Sequence, residues 1–294
     1  YVGITQTKIL TINSVVMLLS NVVLNYCLIF GKGGFPVMGI AGAAIASSVS
    51  EAVSLLFFII YTGTTADKRK YGFRRAFTFR PHLLKGMLSI SGWTMVQSFI
   101  SVSIWFIFFL AIEHLGERPL AVTNIVRNIS ALLIMVISAF ATTAGALISN
   151  QIGAGEQRYL FRTCGMTLNL TYAILVPLLV ILCLFPEPVL RVFTDNPSLI
   201  AASINSVYVM STSTLIMAPA FILFNAVSGT GNTKAGFIME MISLTVYTAA
   251  VYYIVIRLKP DVALCWFSEH VYGIALIALA WWYLKSGKWR GKKV

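Results

Sequence analysis

The sequence predicts an all-α integral membrane protein with about eight transmembrane helices, on three observations. Hydrophobic residues make up 58% of the chain and charged residues only 11%, where a soluble domain carries about 25%. Apolar runs of about twenty residues, the length that crosses a bilayer as a helix, recur throughout. These runs lack the two-residue alternation of membrane β-strands and far exceed about ten residues, so the spans are helices rather than barrel strands.

Taken in order, the spans fall at roughly 9–30, 39–62, 86–112, 120–149, 161–185, 199–228, 235–256 and 265–284. The second opens with GIAGAAIASS, whose Gly39, Gly42, Ala43, Ala46, Ser47 and Ser50 let a neighbouring helix approach closely. Pro177 and Pro219 interrupt the fifth and sixth spans, and each leaves a carbonyl for neighbours to satisfy. Trp266 stands where the last span enters the membrane and Trp281, Trp282 and Tyr283 where it leaves, the places of an aromatic belt.

The longest polar interruption is the basic run from Asp67 to Lys85, which holds seven Lys and Arg residues. Positive charge in short loops is retained on the cytoplasmic side. With this loop inside, sixteen Lys and Arg residues lie inside, the C-terminal tail among them, against five in the outside loops, which include 113–119 and 186–198. Arg127 is within a span. A net charge of +12 would suggest nucleic acid in a soluble protein; here the positive-inside bias accounts for it, and no nucleic-acid partner is expected.

An internal repeat sets the organisation. GITQTK (Gly3–Lys8) matches GTGNTK (Gly229–Lys234) at Gly, Thr and Lys, and a Gly-Ile pair follows each copy, at Gly39-Ile40 and Gly273-Ile274. Six spans separate the copies, an even number, so both share one orientation, as in a parallel repeat of six-helix units. The expected parts are 1–66, the last two helices of a first lobe; 67–85, a cytoplasmic linker; and 86–294, a six-helix lobe with its tail. Four further helices are expected before Tyr1.

Motifs of other classes are missing. No GxxxxGK[ST] occurs, and the turns GAG (153–155) and GTG (229–231) read as helix stops. His82, His114 and His270 are scattered and form no metal or catalytic cluster. Cys27, Cys164, Cys183 and Cys265 form no CxxC pair and read as small hydrophobes. Neither an enzyme nor a cofactor is expected.

The residues also carry a family resemblance. LSNVVLNYCLIFGKGGFPVMGIAGAAIASSVSE (19–51), LAVTNIVRNISALLIMVISAFATTAGALISNQIGAGE (120–156) and NAVSGTGNTKAG (225–236) resemble the multidrug and toxic compound extrusion (MATE) family. The resemblance implies a twelve-helix, two-lobe transporter of which this chain supplies helices five to twelve. It further implies a secondary antiporter that exports organic, often cationic, small molecules in exchange for sodium ions or protons. Such a protein would lie in the bacterial plasma (inner) membrane, multi-pass, a monomer when full length, with no cofactor. The nearest alternative is a lipid-linked saccharide flippase of the same superfamily, whose cavity would be rich in basic side chains; an intramembrane enzyme is a more distant one.

Some relatives carry acids in the first and fourth helices of the C-terminal lobe, but no Asp or Glu lies between Met87 and Ala111 or between Leu199 and Ser228. Other relatives bind the cation in the N-terminal lobe, and there Asn21, Asn25 and Ser47 occupy the matching positions. Geometry supports that grouping. Asn21 and Asn25, like Ser47 and Glu51, are four apart on one helix face. The short loop 31–38 makes the two helices antiparallel neighbours, and Asn21 and Ser47 then lie at matching depth. Asn21, Asn25, Ser47 and Glu51 form the candidate cation-coupling set, with sodium at the first three and a proton on Glu51 as the alternative. A plain polar helix contact is the bland reading. Gln97, Trp105, Asn124, Arg127 and Glu240 are the candidate substrate-cavity residues. For Arg127, contact with an anionic substrate group and pairing with Glu113 or Glu117 are both open. For Glu240, close to a helix end, snorkelling and a structural hydrogen bond are open as well.

Overall fold

The computed structural model describes residues 1, 6–65, 80–287 and 289–290, the side chains at 89 and 90 excepted. Its helices are α1 (Thr7–Phe30), α2 (Gly39–Thr65), α3 (Pro81–Glu113), α4 (Glu117–Gly153) and α5 (Leu160–Leu184). They continue with α6 (Pro186–Arg191), α7 (Pro197–Gly229), α8 (Thr233–Val251), α9 (Val262–Cys265) and α10 (Phe267–Ser286). Eight segments are long and apolar enough to cross a membrane, among the described residues. They fall on the eight expected spans. The chain forms two compact units, Tyr1–Pro81 and His82–Val294. Most of the expected linker, residues 66–79, lies outside the described residues, as do residues 3–5 of the first repeat copy. In both copies the Thr-Lys pair opens a helix, α1 at Thr7 and α8 at Thr233.

The first unit is α1 packed on α2. Gly42, Ala46 and Ser50 are the buried positions of α2, four residues apart and so on one face. A Cβ on Gly42 would stand 2.6 Å from the Leu28 carbonyl oxygen, so only glycine permits this approach. The expected small-residue contact is therefore made by α1.

In the second unit α4 and α7 cross at glycine. A Cβ on Gly229 would lie 2.5 Å from the Gly145 carbonyl oxygen, and one on Gly145 would lie 2.9 Å from that of Asn225. Around this crossing one apolar cluster gathers Val126, Leu175, Val207 and Met210, and a second gathers Ile148, Cys164, Val227 and Leu284. A third joins Phe108 and Ile112 of α3 to Tyr247, Val251 and Cys265. Pro177 and Pro219 sit inside helices that continue past them.

Three local features depart from expectation. Trp266 is 2% exposed and packs edge-on against Phe108 at 5.7 Å. Tyr283 is buried with its hydroxyl 2.6 Å from Asn232 Nδ2. Both serve the interior rather than an aromatic belt, because their helix faces point at neighbouring helices; Trp281 and Trp282 are exposed. The third feature is a π-helix over Tyr252–Leu258, which continues α8 to a left-handed Lys259.

Candidate functional site

The second unit has a half-open cavity of about 220 Å3 lined by residues of α3, α4, α7, α8 and α10. Its polar groups come from three helices. Glu240 lies seven residues into α8, and one oxygen, Oε1, stands 2.9 Å from Ser101 Oγ of α3 and 2.9 Å from Tyr272 OH of α10. Ser101 Oγ is also 2.9 Å from the Gln97 carbonyl, so one hydroxyl proton faces two acceptors. Glu240 is only 4% exposed, and its second oxygen, Oε2, is buried with no hydrogen-bond partner. Glu269 of α10 accepts from Tyr247 OH of α8 at 2.9 Å. The rings of Tyr247 and Tyr272 meet edge-on, centroids 5.8 Å apart. Two carboxylates are thus each held by a tyrosine from the other helix. An ionised carboxylate buried among apolar side chains is costly unless it is paired, so such a pair calls for positive charge, protons or water. Among the described residues the lining contains no basic side chain.

The first unit holds a smaller polar group. Asn25 Nδ2 donates to Asn21 Oδ1 at 2.8 Å, and Asn21 Nδ2 reaches Ser47 Oγ at 3.4 Å. Asn25 Oδ1 is buried and has no partner. Glu51 is exposed one turn beyond Ser47, and no hydrogen bond joins it to these three among the described residues. Further along the same interface the buried Asn13 donates to Ser54 at 2.7 Å.

The structure therefore brings Asn21, Asn25 and Ser47 together and leaves Glu51 apart. Of the candidate cavity residues, Trp105 and Glu240 line the cavity, whereas Gln97, Asn124 and Arg127 do not. Glu240 does not snorkel: its carboxylate is buried and hydrogen-bonded across helices. Arg127 has its guanidinium 4.9 Å over the Phe109 ring, a contact that neither reading from sequence named.

Glu269 is the residue that sequence reasoning missed. A last span read from 265 puts it at the margin, but the apolar segment runs from Val262 to Ser286 and carries it two turns inward. A signal existed: Glu269 and Tyr272 are three apart, and Glu240 and Tyr247 seven apart, so each helix pairs an acid and a tyrosine on one face.

Eight helices long and apolar enough to cross a membrane, among the described residues, with two carboxylates on one cavity define a polytopic membrane protein, and the comparisons give its family. A transporter of the MOP superfamily from Pyrococcus furiosus has a TM-score of 0.81 at 18% identity, covering 94% of this chain and 62% of that one. The Vibrio cholerae MATE transporter VcmN in the bent form has a TM-score of 0.77 at 13% identity, covering 96% and 63%. The MatE family model matches residues 94–254, more than half of the chain, and the chain belongs to that family. It is 26% identical over 286 residues to the probable multidrug resistance protein NorM of Thermotoga maritima, covering 93% of this chain and 59% of that protein. It is also 25% identical over 236 residues to the uncharacterized transporter YisQ of Bacillus subtilis, covering 76% and 49%. The chain thus spans about half to three-fifths of the length of these curated relatives.

Proposed function

We propose that this chain serves a secondary antiporter of the bacterial inner membrane that exports organic cations in exchange for sodium ions or protons. The observation that carries the cationic substrate is the cavity of the second unit, walled by two carboxylates and four aromatic rings with no basic side chain among the described residues. Aromatic faces attract cations and shed water, which suits an amphiphilic cation better than a pyrophosphate-linked sugar. The names of the relatives, a probable multidrug resistance protein and a transporter, support the same reading.

The coupling ion is assigned to Asn21, Asn25 and Ser47, with Glu51 as the carboxylate one turn away. Hard oxygen donors suit sodium, and the unpartnered Asn25 Oδ1 is the acceptor left for it. In an exporter-deficient bacterial host, expression should accelerate ethidium efflux after a sodium or acid pulse. Asn21→Ala and Asn25→Ala should each slow that ion-driven efflux at least about tenfold while membrane abundance stays normal, which is about 1.4 kcal/mol of lost coupling. Glu51→Gln separates the ions: it should abolish an acid-driven component and spare a sodium-driven one. Undiminished efflux in both Asn variants would reduce the cluster to a helix contact.

A further inference from the structure

We infer that the cavity of the second unit is built for a small organic dication, with one ammonium group on Glu240 and the other on Glu269. This deepens the reading of that cavity as a cation site and rests on it.

The argument begins with charge. Among the described residues two carboxylates line one cavity, and no Lys, Arg or His does. The hydrogen bonds of Glu240 are incomplete: it is 4% exposed, and its Oε2 is buried with no partner. Ser101 and Tyr272 both approach the other oxygen, so Oε2 is a free acceptor that an ammonium group on Glu240 would satisfy.

Spacing supplies the second step. α8 and α10 run in opposite directions, and each tyrosine holds the partner helix's acid. Along α8 the level of Glu240 and that of Tyr247, which holds Glu269, are seven residues apart, or about 10 Å of rise. Along α10 Glu269 and Tyr272 are three apart, or about 4.5 Å. The carboxylates therefore stand at different levels, separated along the helices by about 4–10 Å. Over the longer part of that range one small cation cannot meet both at contact distance, whereas a short diamine can.

The walls give the third step. Trp105, Phe221, Tyr247 and Tyr272 surround the space between the acids. Rings there favour a flat or aliphatic linker with cationic ends. A volume of about 220 Å3 is below the ~300–1,000 Å3 of pockets for drug-sized compounds, which selects a compact diamine.

The test is isothermal titration of the full chain, purified in detergent, with p-xylylenediamine and with benzylamine, its single-charge counterpart. The diamine should bind at least about tenfold tighter than benzylamine, and Glu240→Gln and Glu269→Gln should each bring it down to the benzylamine level. Glutamine keeps an oxygen for each tyrosine, so both variants retain those hydrogen bonds. Should a variant fail to purify, the comparison of the two amines on the unmodified chain still decides. Equal affinities would leave a monovalent cation site and overturn the dication assignment. Binding of neither amine would overturn the reading of the cavity as a cation site as well. Heat from magnesium chloride that blocks the diamine would make this a metal site and equally defeat the proposal.

Discussion

Asn232 shows how much one polar side chain does between apolar helices. It closes the Gly-rich turn after α7, where Gly231 takes φ 78, and its Oδ1 caps α8 by accepting from Ala235 N at 3.2 Å. Its Nδ2 meanwhile binds the Tyr283 hydroxyl at 2.6 Å and so ties the start of α8 to the end of α10. Losing an Asn cap costs about 0.5–2 kcal/mol, and a lost buried partner adds about 1–3 kcal/mol. Asn232→Ala should therefore lower the detergent-solubilised melting temperature by several degrees, and Tyr283→Phe, which keeps the cap, by less. Equal shifts would mean that the cap contributes nothing. The GTGN stop was legible in sequence because glycine and asparagine have few other uses at a helix boundary. Asn21, Asn25 and Ser47 were legible as a group because one-turn spacing and equal depth are arithmetic on a single hairpin. The position of Arg127 was not, since its partner Phe109 sits on another helix and no local spacing announces a ring beneath a guanidinium.

Helices were the most legible level, because apolar length maps directly onto membrane thickness. Their ends were less so. α4 runs from Glu117 to Gly153, past its apolar stretch at both ends, because helical hydrogen bonding continues through polar residues until a glycine stops it. The π-helix at Tyr252–Leu258 leaves hydropathy unchanged and was invisible for that reason. Which helices meet closely depends on a few glycines, and α4 with α7 is the clearest case. Gly229→Ala would force a Cβ to 2.5 Å from the Gly145 backbone oxygen, an atom that cannot swing aside. Overpacking of this kind costs about 1–3 kcal/mol or more. Gly153→Ala is the matched control, since its Cβ would meet nothing within 4 Å. The first variant should melt clearly below the parent and the second should not; identical behaviour would mean that the two helices are free to separate.

For the molecule as a whole, the fold leaves open which way up it sits, because the same helices pack identically in either orientation. Charge decides. Glu156 lies in the turn between α4 and α5, beside Arg158 and before Arg162 at the start of α5, on the side that carries sixteen Lys and Arg residues. Asp195 lies in the loop before α7, among the segments holding only five. Moving a lysine or arginine across the hydrocarbon core is opposed during insertion, so the richer side is expected in the cytoplasm. Both positions are exposed, and neither belongs to the cavity or the asparagine cluster. All four native cysteines are free thiols, two of them buried, so they must be replaced before labelling. In that background Asp195→Cys should react with an impermeant maleimide in intact cells. Glu156→Cys should react only after the membrane is opened. The opposite pattern would place the basic side outside, against every loop pair at once, and would show that a segment not counted in the charge balance governs how the chain inserts.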